Sequence, residues 1–244
     1  MKRVLIGALC SVLLIACSSS SKQKVLGDTS KSSSASATST STTSAKAQDL
    51  VIESGWSSQV DHGTRHSWAG AAVTNPNASL AAYDVSVVFN LIDTAGTVVD
   101  TETETISYIA PGARVLVAPQ QIGFDVKTEP ADLKVNAIGD MKPDKGSGGA
   151  SGFSTEKGVT LTVVSAGVDR GQYVSKIKGQ VENPTSDVVK YPTVRCIYTH
   201  AGVIVGGEKS TISDPIAPGA TVAFSAGLNF SPEQADGAEC QAVA

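Results

Sequence analysis

The chain is 244 residues long, room for one large domain or two ordinary ones, and only 17% of it is charged and 5% aromatic. Its net charge of −4 excludes a whole-chain basic footprint for nucleic acid. No apolar run reaches the roughly 18 residues of a membrane-spanning helix, and the Gly, Ser, Thr, Ala and Val content suits short strands and turns.

Met1, Lys2 and Arg3 precede the apolar stretch Val4 to Ile15, and Ala16 and Cys17 follow. A basic start, a short apolar segment and a small residue before the cut predict a secretory signal peptide over residues 1–17. The ending Leu14, Ile15, Ala16, Cys17 resembles the bacterial lipobox, in which the cysteine receives diacylglycerol and becomes the first residue. That resemblance implies lipidation of Cys17 and a membrane partner reached through the lipid. It places the protein on the extracytoplasmic face of the cell membrane, or on an outer membrane in a host that has one. More than one acyl chain makes a stable anchor, since each buried methylene contributes about 0.8 kcal/mol. The competing interpretation is an ordinary signal peptide cut near a cysteine.

Residues 18–47 hold 12 Ser and 5 Thr, with Lys22, Lys24, Lys31 and Lys46 against one acid, Asp28. Little there is apolar enough to bury, so a disordered tether is expected, spanning about 30 Å as a random coil. Its positive charge also suits anionic headgroups.

From Gln48 the pattern becomes that of strands. Tyr83, Val85, Val87, Phe89 and Leu91 alternate with mostly polar residues, the period of a half-buried strand. Asp93 to Gly96 follows as a turn, and Pro111-Gly112 opens another run. Leu133, Val135 and Ala137 alternate again before Pro143, Gly146, Gly148 and Gly149 mark a flexible linker over 142–157. The second half then repeats the first. Asn75 and Pro76 return as Asn183 and Pro184, Tyr83 as Tyr191, Gly96 as Gly202, and Ile109 to Ala113 as Ile216 to Ala220. Residues 48–141 and 158–244 are therefore expected to be two copies of one antiparallel β-sandwich.

The landmarks of each copy also resemble a family. A strand ending Ala71, Ala72, Val73, Thr74, Asn75, then Phe89, Leu91, Ile92 and Asp93 before Gly96, is similar to the FxLYD domain of exported prokaryotic lipoproteins. Ile92 stands where the namesake motif has Tyr. The second copy departs further, with Arg195 to His200 in that place. The resemblance implies an all-β chain of two tandem immunoglobulin-like sandwiches and no common activity. Phe89 and Leu91, on one face with Val85 and Val87, are expected in the core.

Cys10 leaves with the leader and Cys17 carries lipid, so Cys196 and Cys240 remain. An even pair in an exported domain predicts a disulfide, Cys196 on the central strand of copy two and Cys240 on its last strand. Cys240 falls near the place of Val135 in copy one. Two buried thiols or a redox pair are the alternatives, and the absent Cys-x-x-Cys spacing argues against the latter.

Catalytic patterns are few. Asp61, His62 and His66 suggest either a surface zinc site or a polar turn before the Trp68 strand. Ser175 and Lys178 have catalytic-looking spacing along a strand without companion motifs. Trp56 and Trp68 read as core or rim aromatics, with sugar stacking as the sharper alternative. Asp100, Glu102 and Glu104 alternate with threonines, which places three carboxylates on one strand face. A solvated strand that resists edge pairing explains them more simply than a cation site.

These features predict no enzyme, no cofactor and no resident metal. They predict a lipid-anchored, non-catalytic interaction or structural module of the cell envelope. Its partners would be an envelope protein, a glycan or a small ligand, and not nucleic acid. The alternative is a small-ligand or metal-binding lipoprotein serving a transport system, with a site at the seam between copies or around His62 and His66.

Overall fold

The computed structural model describes residues 46–61, 63–119, 122–125, 129–144, 159–170, 175–227 and 235–244. The expected signal peptide with its Cys17, the tether through residue 45, His62 and the expected linker beyond Asp144 lie outside these residues.

The described chain is all β. Repeat one contributes β1 (Val51–Asp61), β2 (Thr64–Thr74), β3 (Leu80–Asp93), β4 (Val98–Ile109), β5 (Arg114–Val117), β6 (Ile122–Asp125) and β7 (Pro130–Pro143). Repeat two contributes β8 (Thr160–Arg170), β9 (Ser175–Glu182), β10 (Thr193–His200), β11 (Val203–Thr211), β12 (Thr221–Ala226) and β13 (Gly237–Val243). Every pairing is antiparallel. The last strand of repeat one runs on through Lys142 and Pro143, two residues into the segment expected to be linker.

The repeat seen in sequence is a repeat of topology. In repeat one, β2 lies between β1 and β5 in one sheet, and β3 lies between β4 and β7 in the other. In repeat two, β9 lies between β8 and β12, and β10 lies between β11 and β13. The drift in the landmarks has a local cause. Four residues separate β3 from β4, with Gly96 at φ 82°, whereas Ala201 and Gly202 alone join β10 to β11. Both of the latter have positive φ, the requirement of a two-residue hairpin that follows strand twist.

Each repeat buries one apolar layer between its sheets. In the first, Ala69, Ala71 and Val73 of β2 and Val115 and Val117 of β5 meet Val85, Val87 and Phe89 of β3. Leu91 is fully buried as well, so the alternation read from the sequence is the core face of β3. In the second, Ile177 and Val181 meet Val194, Cys196 and Tyr198. Here β8 joins the layers: Thr160 and Leu161 pair with β13, and from Thr162 the strand pairs with β9, with a register shift between Val163 and Ser165. A bulge lets one strand turn the corner between sheets.

Ala45–Ala244 forms one compact unit that carries every named strand and all the apolar clusters. From Ser67 to Val73, β2 is buried on both faces, which requires the small residues found there. One face is the first core. The other receives repeat two.

Candidate functional site

The seam between the repeats is where the fold brings most unrelated side chains together. Its centre is backbone against backbone. Gly55 of β1 and Gly70 of β2 are directly paired and share a face, and that face meets Ile204 to Gly207 of β11. A methyl group on Gly207 would lie 2.8 Å from the Ala69 carbonyl oxygen and 2.9 Å from Ala118 Cβ, closer than real Cβ atoms come. Beside the glycines, Ala72 and Leu116 of repeat one pack on Ile197 and Ile204 of repeat two. Burying a side chain the size of Leu or Ile contributes about 1.5–3 kcal/mol.

Polar contacts frame this apolar strip. The Gln241 side chain of β13 treats the outer edge of β5 as a neighbouring strand would. Its Oε1 accepts from the Leu116 N–H at 2.8 Å and its Nε2 donates to the Arg114 carbonyl at 3.0 Å. Arg114 itself reaches Glu239 at 2.6 Å and Glu53 at 3.4 Å, so it spans both repeats. On the other side, Lys209 of β11 donates to Glu104 of β4 at 2.5 Å. Arg195 is mostly buried nearby, and burial pulls its guanidinium below the ordinary arginine range while the Glu104 charge acts against that shift.

The acidic strand therefore differs from the solvated face expected for it. Asp100, Glu102 and Glu104 lie on the half-buried side of β4, in line with buried Ile106 and Tyr108, and the threonines point outward. Inward-pointing charge on an edge strand discourages foreign pairing, and Glu104 in addition has a specific cationic partner.

Of the predicted site residues, Cys196 and Cys240 are brought together. They form a disulfide with Cα atoms 4.1 Å apart, directly opposite each other on β10 and β13. Cys17 lies outside the described residues. Asp61 and Thr64 close a tight β1–β2 hairpin, and His66 sits in strand opposite Gln59 with its ring 6.5 Å from that of Trp68. Among the described residues no three His, Cys, Asp or Glu side chains are grouped to hold a metal. Lys178 pairs with Asp169 on the adjacent strand. Trp68 is 1% exposed and Trp56 packs on the first core, which makes both structural and leaves no exposed Trp68 ring for a sugar.

Asn75 and Asn183, which end strands in the sequence pattern, are each a buried staple. Asn75 Nδ2 donates to the carbonyls of Leu80, Ile109 and Ala110, and Asn183 Nδ2 to those of Asp187 and Ile216. Their backbone N–H groups bond Ala113 and Ala220, whose preceding Gly112 and Gly219 have φ of 71° and 67°. The Asn and Pro-Gly landmarks recur together because each holds the other. The glycine seam has a sequence signal of its own. Glycine inside a strand signals close backbone approach, and the adjacent Gly206 and Gly207 carried that signal.

Compared with models of known protein families the chain matches none, and a search of curated proteins likewise returns no match.

Proposed function

We propose that this protein is a lipid-anchored, extracytoplasmic, non-catalytic interaction or structural module of the cell envelope, built from two FxLYD-like repeats. The observation that carries the proposal is the seam. Two sandwiches meet face to face through Gly55, Gly70 and Gly207 within one compact unit. The charged groups at that seam are paired with one another, as Glu104 with Lys209 and Arg114 with Glu239. Such a body suits display of surface. The likeness of Leu14 to Cys17 to a lipobox supplies the anchor, and the Ser/Thr-rich stretch supplies the distance from the bilayer.

The test is made in the native host with an alkyne fatty acid, an external protease and photo-crosslinking. Expected are lipid incorporation that Cys17→Ala abolishes and cleavage by protease added outside the cytoplasmic membrane. A crosslinker placed at exposed Thr103 should give a discrete adduct with an envelope component. Lipid that persists on Cys17→Ala, or a chain protected from external protease, overturns the anchored placement. A chain that forms no adduct from any outer-face position overturns the interaction role.

A further inference from the structure

The outward face of β7 reads Asp132, Lys134, Asn136, Ile138, Asp140, Lys142 at alternate positions, and all six residues are exposed. One edge of β7 is paired with β3. Among the described residues no strand pairs with the other edge. The corresponding strand of repeat two, β13, has partners on both sides, β10 and β8. An unpaired edge of 14 residues is a template for another strand, and proteins normally blunt such edges with charge, proline or bulges.

The charges on β7 do something else. They are self-complementary under a two-fold axis. Reversed and laid alongside itself about Ala137, the strand sets Asp132 opposite Lys142, Lys134 opposite Asp140 and Asn136 opposite Ile138. Symmetry repeats each pair, so four ion pairs form. The register is specific. Sliding one strand by two residues puts Asp132 opposite Asp140, or in the other direction Lys134 opposite Lys142. Opposite charges facing each other across strands stabilise and like charges destabilise, so the pattern selects one alignment. Ile138, at 75% the most exposed large hydrophobic among the described residues, then lies diagonal to its symmetry mate near the axis.

We propose that two copies of this chain pair β7 to β7, antiparallel about a two-fold axis at Ala137, forming one sheet in the order β4, β3, β7, β7, β3, β4. A second copy is the occupant because a strand of any other sequence would have to match the alternation acid, base, polar, apolar, acid, base, which this strand matches by itself. The same surface meeting itself is the isologous arrangement of two-fold dimers. The proposal is independent of how the chain is anchored.

Sedimentation of the full chain in density-matched detergent, and of the Ala45–Ala244 unit, measures the dissociation constant. A monomer–dimer equilibrium weakened by added salt is expected. Lys134→Asp and Asp140→Lys each convert two attractive pairs into repulsive ones and should weaken self-association at least about tenfold. An equimolar mixture of the two variants restores every opposite-charge pair and should regain wild-type affinity as a heterodimer. Independently, a mixture of Asn136→Cys and Ile138→Cys chains should crosslink faster than either chain alone. A chain that stays monomeric at all concentrations overturns the proposal. So does a dimer indifferent to both charge reversals, or a mixture that associates no better than its components.

Discussion

Phe89 and Val135 stand directly opposite each other on β3 and β7, and the equivalent two places in repeat two hold the bonded pair Cys196 and Cys240. The neighbouring pairs confirm the equivalence. Val87 with Ala137 corresponds to Val194 with Ala242, and Leu91 with Leu133 corresponds to Tyr198 with Ala238. One scaffold has met the same cross-strand position with an apolar contact in one copy and a covalent bond in the other. The bond spans a sequence separation of 44 residues. Closing such a loop in the unfolded chain contributes roughly 4 kcal/mol in the chain-entropy model. Replacing both cysteines by Ala in the Ala45–Ala244 unit should lower denaturant stability by about that amount. The unreduced, denatured unit should show no free thiol, and two free thiols would contradict the bond.

The buried asparagines make a second expectation. Asn75→Ala removes a donor from the carbonyls of Leu80, Ile109 and Ala110, of which Ala110 keeps the Ala113 N–H, and it also removes the Oδ1 that accepts from the Asn77 N–H at 3.1 Å. Each buried polar group left without a partner costs about 1–3 kcal/mol, so a loss of at least about 3 kcal/mol is expected. Asn183→Ala should cost less in repeat two, because the Ile216 carbonyl keeps the Val189 N–H and the Asp187 carbonyl keeps the Thr185 hydroxyl. Urea unfolding of both variants measures this, and losses within about 0.5 kcal/mol of wild type would exclude the staple role.

Filling the seam separates two kinds of damage. Gly207→Ala drives a methyl group into the Ala69 carbonyl and Ala118, a clash with backbone that side-chain rotation cannot relieve. The expected cost is about 1–3 kcal/mol, taken from the contact between repeats and not from either core. The wild type is expected to unfold in a single calorimetric transition that broadens or splits in the variant, and small-angle scattering should show a larger radius of gyration for the variant. An unchanged transition and radius would mean that the seam does not couple the repeats.

Two tyrosines report on pH. Burial, the hydrogen bond donated to Asp144 at 2.9 Å and the Asp144 charge together push the Tyr108 phenol up to about 12. Burial, with the charge of Glu208, also raises Tyr198. Each shift favours the protonated phenol in the folded state. Its stabilisation is therefore complete below the unfolded value near 10, and for Tyr108 it is lost as pH rises through about 12. Phenolate absorbance should show delayed ionisation that becomes immediate on unfolding. Tyr108→Phe should reduce the alkaline loss of stability across that window, and an identical loss in the variant would contradict the assignment.

Much of the fold was legible because β structure writes a period-two pattern. The face of Val85, Val87, Phe89 and Leu91 could be read directly, and Asp93 to Gly96 announced its turn through residues that suit positive φ. The repeat was legible for the same reason, since Asn75 with Gly112 and Asn183 with Gly219 occupy backbone settings that few other residues tolerate. The pairing of Cys196 with Cys240 followed from there being only two candidates beyond residue 47. What the acidic strand does was not legible. Alternation shows that Asp100, Glu102 and Glu104 share a face, but not that the face turns inward toward Lys209.

By itself, then, the sequence determined the all-β class, the internal repeat and the core face of β3. These depend on local geometry and on side-chain periodicity, which are properties of short stretches. Tertiary structure alone decided that the repeats merge into one unit, that Gln241 completes the edge of β5 and that Gly70 meets Gly206. Such contacts join residues more than a hundred positions apart, and no local pattern records which distant surface a glycine or an amide will meet.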